Sequence, residues 1–334
     1  MSPAIPVIDI HAHHFPLGLP DLGSRTGEHR WPTLVVSADR GSADIRRGTE
    51  LFRRVSPSCF DASARIAEMD RAGVHRQVIS PVPVMLTDWA PVGPASLFCR
   101  TVNDALAEVA ASSGGRLLAF GAVPLPHIKQ ALTELERLRD ELGLVGVELS
   151  AFPGGLEFDD PTLEPFWAVC AAQQVPVLVH PAHQELSIRR RGQPYEFGIG
   201  MHTDTALAAA ALVFGGVLDR HPELRIALSH GCGAFPWTYP RLRYQATMTE
   251  PSRSAALDDA VRRLWADILV FDPLHLEVLV ARFGADHLLY GTDHPFYPDG
   301  LQGPIDVLNA ARRAGIGVDE RALGLNAVQF LGLG

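Results

Sequence analysis

Eight short, apolar, β-rich runs, most of them separated by helical patterns, constrain the fold of this 334-residue chain more than any other feature. Such runs, bounded by residues that favour turns, are typical of strands. They lie at residues 6–11, 75–81, 117–124, 144–150, 175–180, 225–230, 264–271 and 287–292. Eight strands that alternate with helices predict an α/β protein, a (β/α)8 TIM barrel.

Helical patterns fill most of the segments between these runs. The pattern at 127–142 is typical, because its leucines fall on one face and its charged residues on the other. The predicted helices span residues 61–73, 94–113, 127–142, 161–174, 204–220, 273–284, 303–315 and 318–331. The last two follow the eighth strand and predict extra C-terminal helices.

Two stretches fit no element of a barrel. Residues 15–58, after the first strand, are rich in Gly, Pro and Arg and contain short β-like runs at 33–36 and 50–55. We predict a small β-rich insertion there and a second rim-covering loop at 184–203, because long loops in compact domains are commonly functional. Residues 1–334 are expected to form a single barrel domain with the insertion over the active-site rim.

Side chains that bind metals end four of the predicted strands. His11 and His13 point to the same face of the first strand, because successive residues alternate. His180, His230 and Asp293 end three later strands. In a parallel barrel the carboxyl ends of all strands lie on one rim, where active sites are built. These residues together predict a metal site on that rim.

Composition narrows the partners and the compartment. The formal net charge of −9 argues against nucleic acid or an anionic membrane as a partner. We find no apolar stretch of membrane-spanning length, and the first ten residues lack the apolar core of a signal peptide. The four cysteines form no CxxC pair, which favours a reduced, cytoplasmic protein without disulfides.

Several motifs spread along the chain are specific enough to indicate a family. They are IDIHAH at 8–13, CFD at 59–61 with RIAEMD at 65–70, SPVPVM at 80–85, HGCGAFPW at 230–237 and GTDHPF at 291–296. Over nearly its whole length the chain resembles the amidohydrolase superfamily, and within it the metal-dependent decarboxylases related to aminocarboxymuconate-semialdehyde decarboxylase. By that resemblance His11, His13, His180 and Asp293 would bind one divalent cation per subunit, Zn²⁺ with Mn²⁺ as the alternative.

The resemblance also implies how substrate is held and turned over. His230 would be the acid–base residue, with Asp293 also catalytic. Arg53 and Arg241 would bind the carboxylates of the substrate, because the planar guanidinium matches two oxygens at once. Arg241 would come from the neighbouring subunit of a homodimer. The aromatic substrate contacts would be Phe197 and Phe296.

Three functions remain open at this point. The first is a non-oxidative decarboxylase (C–C lyase) for a small conjugated carboxylic acid, such as aminocarboxymuconate semialdehyde or a hydroxylated benzoate. In that reaction metal-bound water and His230 protonate the substrate before CO2 leaves. The alternative is a mononuclear metal-dependent amidohydrolase or lactonase, and the third is a binding scaffold with a vestigial metal set. Two arginines near the metal favour the decarboxylase.

The single lysine of the chain limits the number of metal ions. Binuclear hydrolases of the superfamily use a carboxylated lysine at the end of strand four to bridge two ions. Here the fourth predicted strand contains no lysine, and Lys129 lies in the predicted helix 127–142. A lysine-bridged binuclear site is therefore excluded. Glu148 on the same strand could bridge two ions instead, but a mononuclear site is the simpler interpretation.

Overall fold

The computed structural model describes residues 6–182, 189–297, 300–318 and 320–333, and its strands form two sheets. The strands are β1 (Ile8–His14), β2 (Pro32–Val36), β3 (Ala43–Arg47), β4 (Glu50–Val55), β5 (Arg76–Pro81), β6 (Leu117–Ala122), β7 (Gly146–Ser150), β8 (Pro176–His180), β9 (Arg225–Leu228), β10 (Trp265–Asp267) and β11 (Leu288–Leu289). Eight of them pair in parallel in the order β1-β5-β6-β7-β8-β9-β10-β11. The predicted (β/α)8 TIM barrel is confirmed.

Hydrogen bonds between β1 and the segment around β11 close the barrel. Ile10 N–H donates to the Tyr290 carbonyl at 2.9 Å, and Asp293 N–H donates to the His11 carbonyl at 2.8 Å. The first strand and the chain after the last strand therefore meet. This contact places His11 and Asp293, which are far apart in the sequence, side by side on the rim.

Helices surround the barrel. Those in the described residues are α1 (Leu22–Thr26), α2 (Ala62–Ala72), α3 (Val92–Ser112), α4 (Ile128–Asp140), α5 (Glu164–Ala172), α6 (Gln193–Tyr195), α7 (Met201–Phe214), α8 (Val217–Arg220), α9 (Ser229–Cys232), α10 (Phe235–Thr247), α11 (Ser254–Arg262), α12 (Pro273–Phe283), α13 (Gln302–Arg313) and α14 (Glu320–Leu331). Their inner faces bury side chains such as Phe98, Trp167 and Leu212 completely against the sheet. The extra C-terminal helices α13 and α14 are confirmed.

Two of the longer helices, α10 and α11, lie where the sequence predicts none. Proline argues against a helix because it lacks an N–H and crowds the preceding turn. In α10, Pro236 occupies the first turn, where an N–H has no partner in any case, while Pro240 lies inside the helix. Burial of Phe235 and Tyr239 against the barrel stabilises α10 despite Pro240.

The insertion after β1 is β-rich, as predicted. Strands β2, β3 and β4 form an antiparallel sheet in which Ile45 pairs with Leu34 on one side and with Arg53 on the other. Trp31 joins this sheet to the barrel, with its ring 4.9 Å from the Trp89 ring. The strand β3 and the short helix α1 are not anticipated by the sequence patterns, because neither has a distinctive apolar period.

The second predicted rim-covering loop, 184–203, is partly helical. Residues 184–188 lie outside the described residues. Beyond them, α6 and a π-helical turn at Glu196–Gly200 lead directly into α7. The prediction of an irregular loop is therefore wrong for 193–203.

One helical run meets the length and composition of a membrane span, contrary to the expectation from the sequence. It comprises Gln193–Phe214. Within it, Ala208, Ala209 and Leu212 are completely buried against the rest of the barrel. The most apolar window of this run is 44% buried, so packing against the barrel accounts for part of its hydropathy.

Candidate metal centre

Strand β1 delivers two imidazoles to one point at the rim. The Nε2 atoms of His11 and His13 lie 3.2 Å apart, and both side chains are completely buried. Asp293 joins them, with its Oδ1 3.0 Å from His13 Nε2 and 3.6 Å from His11 Nε2. The predicted convergence of HxH with the aspartate of the last barrel segment is therefore present.

Two further histidines complete the cluster. The ring of His180, at the end of β8, has its centroid 4.8 Å from that of His13 and 4.9 Å from that of His230. Ligand atoms of His11, His180, His230 and Asp293 all lie within 4.8 Å of one another. Five side chains from four separate parts of the chain thus surround one small volume.

Three of the four histidines are held in the same orientation by hydrogen bonds of their Nδ1 atoms, on the side of each ring that faces away from the cluster. The Nδ1–H of His11 donates to Asp267 Oδ2 at 2.6 Å. The Nδ1–H of His13 donates to the Pro81 carbonyl at 2.9 Å, and that of His180 donates to the Pro181 carbonyl, also at 2.9 Å. A carbonyl only accepts, so Nδ1 must carry the proton in the latter two. Each Nε2 lone pair then faces the centre of the cluster, as metal ligands require.

The buried nitrogen atoms at the centre fit a cation. Among the described residues, His180 Nε2 has no hydrogen-bond partner although it is fully buried. Burial and the neighbouring imidazoles hold the pKa of His180 well below its usual range, and burial lowers the pKa of His11. The inward lone pairs of neutral His11 and His180 leave unsatisfied acceptors, which a divalent cation would satisfy.

Carboxylates add negative charge around this volume. Although burial by itself raises it, the adjacent His13 and His230 rings hold the pKa of Asp293 well below its usual range. Glu148 on β7 is completely buried, 3.8 Å from His13 Nδ1, and burial raises the pKa of its carboxyl to about 7. His13 and His180 each have a single free ring nitrogen, so they cannot serve two ions. The donor set fits one cation.

His230 differs from the other three histidines. Its Nδ1 lies 3.3 Å from the Ser229 hydroxyl, which can either donate or accept, so the position of the ring proton is not fixed. Its Nε2 is 3.6 Å from Asp293 Oδ2. His230 can therefore hold or release a proton beside the cluster without losing a hydrogen bond behind it.

Two of the predicted strand ends need correction. His230 follows the end of β9 at Leu228 and has a φ of 55°, and Asp293 follows the end of β11 at Leu289 and has a φ of 54°. Both side chains extend from left-handed turns rather than from strands. Apolar composition continues past the last ladder hydrogen bonds, which is why the sequence patterns extend these strands too far.

A cationic group stands over the same rim. The Arg53 guanidinium carbon, on β4 of the insertion, lies 4.9 Å from the centre of the Phe197 ring and 4.8 Å from that of Phe296. The Phe296 ring is in turn 5.4 Å from the His13 ring. Arg53 therefore contacts both of the predicted aromatic substrate-binding residues, and Phe296 links it to the histidine cluster.

Arg241 lies elsewhere, on the exposed surface of α10. Among the described residues it has no ion pair or hydrogen bond through its side chain. Within one subunit the structure does not bring it to the cluster.

The comparison with known families decides the classification. The amidohydrolase family model matches residues 8–333, which is nearly all of the chain. The chain belongs to the amidohydrolase family.

Relatives of this amidohydrolase are decarboxylases. It is 31% identical over 331 residues to 2-amino-3-carboxymuconate-6-semialdehyde decarboxylase of Dictyostelium discoideum, covering 98% of this chain and 91% of that one. It is 29% identical over 248 residues to gamma-resorcylate decarboxylase of Rhizobium radiobacter, covering 70% of this chain and 76% of the relative. The predicted enzyme class, a carboxy-lyase of the amidohydrolase superfamily, is confirmed.

Solved structures share the fold. A 2,6-dihydroxybenzoate decarboxylase in complex with 2,6-dihydroxybenzoate superposes with a TM-score of 0.76 at 23% identity over 99% of both chains. A dihydroxybenzoic acid decarboxylase from Polaromonas sp. JS666, with bound manganese and the inhibitor 2-nitroresorcinol, gives a TM-score of 0.71 at 21% identity over 99% of this chain and 98% of that one.

The sequence patterns miss the residues that support the cluster in this amidohydrolase. The main one is Asp267, which accepts a hydrogen bond from His11. The only feature that marks it in the sequence is a carboxylate on the seventh barrel strand. Arg65 is another supporting residue, since it is completely buried and donates to the His13 carbonyl, to Gln77 Oε1 and to His294 Nδ1. In the sequence, Arg65 is an ordinary residue of a predicted helix, and nothing marks it as buried.

Proposed function

We propose that this amidohydrolase is a metal-dependent, non-oxidative decarboxylase of a small conjugated carboxylic acid. The observation that carries the proposal is the division among the rim histidines. His11, His13 and His180 are locked as ligands from behind, while His230 is free to exchange a proton and Arg53 stands over the same cluster. A ligand set, a proton carrier and a carboxylate-binding cation are the groups that decarboxylation needs.

The proposed cation is one Zn²⁺ per subunit, with Mn²⁺ as the alternative. His11, His13, His180 and Asp293 would hold it, because three imidazoles and a carboxylate suit either ion. A bound divalent cation supplies Lewis acidity and makes water acidic near neutral pH. The manganese in the Polaromonas neighbour supports a divalent ion in this fold.

His230 is the proposed acid–base residue. It would place a proton on the substrate carbon that carries the carboxylate, and the C–CO2 bond would then break. The bonding electron pair returns to the conjugated system, CO2 leaves and the carbon keeps the proton. A positioned histidine contributes roughly 10²- to 10⁴-fold to the rate of such a transfer. Asp293, 3.6 Å from His230 Nε2, would stabilise the protonated ring.

Arg53 and its two aromatic neighbours form the proposed substrate contact. Phe197 and Phe296 lie against the guanidinium and restrict its rotation, so its donor edge is preorganised for a carboxylate. The phenyl rings also offer flat apolar surfaces to a planar substrate. An aminocarboxymuconate semialdehyde or a hydroxylated benzoate has this combination of plane and carboxylate, and the relatives are named for substrates of these two kinds.

We further propose a homodimer in which Arg241 reaches the site of the neighbouring subunit. Trp237, Arg241 and Tyr244 recur at helical spacing on α10, Met248 follows directly after the helix, and Trp237 is 82% exposed. Exposed aromatic and apolar side chains that line one face of a helix are typical of an interface. A two-fold axis there would place each Arg241 against the other copy.

The domain organisation and location are also proposals. Residues 1–334 would form one domain whose insertion covers the rim, which the Arg53–Phe296 contact supports. A cytoplasmic location is supported by the four cysteines, which are all buried free thiols.

Product analysis tests the proposed reaction. Zn²⁺-loaded protein is incubated with a panel of muconate-type and hydroxylated aromatic acids, and with lactones and amides, and the products are identified by mass spectrometry. We expect CO2 release from at least one acid, abolished by His180→Asn. Water incorporated into a lactone or amide, with no CO2 released from any acid, would instead establish the hydrolase.

A further inference from the structure

Asp267, the last residue of β10, connects the two sides of the proposed active site. Its Oδ2 accepts from His11 Nδ1–H at 2.6 Å and from the backbone N–H of His230 at 3.0 Å. Its Oδ1 accepts from the backbone N–H groups of Gly231 and Leu269 at 2.8 and 3.1 Å. The carboxylate is completely buried and all its described hydrogen-bond partners are donors.

The backbone that Asp267 holds is one that most residues avoid. His230, Gly231, Cys232 and Gly233 have consecutive φ values of 55°, 63°, 64° and 57°. Left-handed conformations cost non-glycine residues about 1–2 kcal/mol each and persist when surrounding contacts enforce them. Two of the four N–H groups in this turn, those of His230 and Gly231, end on Asp267.

Close packing leaves Asp267 little freedom to move. A Cβ at Gly291 would lie 2.7 Å from the Asp267 Cβ and 3.0 Å from the His11 Cβ. Glycine at this position therefore lets the aspartate and the histidine approach each other. The distance between them is set by backbone packing as well as by the hydrogen bond.

We infer that Asp267 is a positioning residue that fixes the metal ligand His11 and the acid–base residue His230 relative to each other. This inference rests on the proposed metal site. Through His11 it makes the inward Nε2 more basic and holds the ring for the cation, and through the backbone it aims His230 at the same centre. The two roles share one oxygen, so a displacement of the carboxylate changes both contacts at once.

An asparagine at this position cannot replace the aspartate. An amide has one accepting oxygen, and its NH2 group would face donors in either orientation. One orientation loses the bonds to His11 and His230, and the other loses those to Gly231 and Leu269. Both orientations lose the negative charge that makes His11 Nε2 a stronger ligand, so Zn²⁺ binding weakens in either case. Asp267→Asn should therefore separate the contribution of the carboxylate from that of the side-chain volume.

Zn²⁺ binding tests the inference without any substrate. Metal-stripped wild type, Asp267→Asn and Asp272→Asn are titrated with Zn²⁺ against a chromogenic chelator. Asp272 is the matched control, because it is an exposed aspartate five residues away that caps α12 through Leu274 N–H, and asparagine caps equally well. We expect roughly 10- to 100-fold weaker binding for Asp267→Asn and no change for Asp272→Asn.

A spectroscopic measurement on zinc-free wild type covers the case in which Asp267→Asn does not fold. The ¹⁵N NMR signals of the His11 ring are assigned by their loss in His11→Asn. We expect the His11 proton on Nδ1, with a downfield ¹H signal and slow exchange with solvent. A folded Asp267→Asn protein with wild-type Zn²⁺ affinity, or a His11 protonated on Nε2, overturns the inference. Failure of the wild type itself to bind Zn²⁺ would instead count against the proposed metal site.

Discussion

At the scale of residues, the group that faces the Nδ1 atom of each histidine distinguishes the proposed metal ligands from the proposed acid–base residue. In His11, His13 and His180 this group is a carboxylate or a carbonyl, which fixes the ring proton on Nδ1. In His230 it is a hydroxyl, which can donate or accept. We predict that His180→Asn abolishes stoichiometric zinc, while His230→Asn keeps zinc and lowers kcat by roughly 10²- to 10⁴-fold. Asparagine suits His230 because it tolerates the left-handed backbone there.

Elemental analysis of purified protein and steady-state rates check this pair of variants. Equal zinc loss in both would mean that His230 is a ligand, and the assignment of roles would have to be reversed.

The contact of Arg53 with the Phe197 and Phe296 rings gives a second prediction at this scale. Arg53→Ala should raise KM for the acid roughly 10- to 100-fold, because a charged hydrogen-bonded pair is lost. Arg53→Lys should fall in between, since lysine keeps the charge but neither the fork nor the stacking on Phe197 and Phe296. Arg54 is the matched control, as it is exposed and paired with Asp44 at 2.8 Å.

Steady-state kinetics on the three variants decide the matter. If Arg54→Ala raises KM as much as Arg53→Ala does, the general positive charge of this surface attracts the substrate, and a specific contact with Arg53 does not.

The site residues that sequence could predict are those that follow apolar runs. His11 and His13 lie on β1 and His180 ends β8, and strand alternation with the common rim brings them together. Asp267 also lies on a strand, but an isolated carboxylate in a short run has no periodic partner to mark it. Its importance comes from burial at tertiary contacts, which one sequence does not display.

At the scale of elements, the left-handed turn after β9 determines where His230 points. A Cβ at Gly233 would lie 2.3 Å from the His202 carbonyl oxygen, and its φ is 57°. We predict that Gly233→Ala lowers the free energy of unfolding by roughly 3 kcal/mol or more, from strain and overlap together. Activity should fall with it, because relief of the overlap displaces the turn that carries His230.

Gly115 supplies the control for that prediction. Its φ is 81°, and a Cβ there would meet nothing within 4 Å, so Gly115→Ala incurs the conformational strain alone. Denaturant unfolding of both variants should show a cost of about 1–2 kcal/mol for Gly115→Ala. A similar cost for the two would show that the turn can shift freely and does not fix His230.

The elements themselves differ in how well sequence patterns predict them. All eight barrel strands were predictable, because an apolar run between turn residues has few other structures open to it. Their ends were not, since β10 stops at Asp267 although apolar residues continue to 271. Helix α10 was hidden by Pro240, whose cost is offset by tertiary packing that no local pattern reports.

At the scale of the whole molecule, the site of one subunit would be incomplete without its neighbour. Arg241 is exposed on α10, and a single mutation at either Arg241 or His230 should inactivate every site of a homodimer. Mixed dimers of His230→Asn with Arg241→Ala behave differently. The subunit that keeps His230 receives an intact Arg241 from its partner, whereas the other site lacks both groups.

Random reassortment of the two inactive variants makes half of the dimers mixed, each with one working site of two, so about a quarter of the wild-type activity should return. Native mass spectrometry confirms that mixed dimers form, and CO2 release is measured before and after exchange. The control pairs His230→Asn with His180→Asn, which share no complementary partner residue and should recover nothing. Verified mixed dimers without recovered activity would place Arg241 outside the neighbouring site and leave Arg53 as the only arginine proposed to hold the carboxylate.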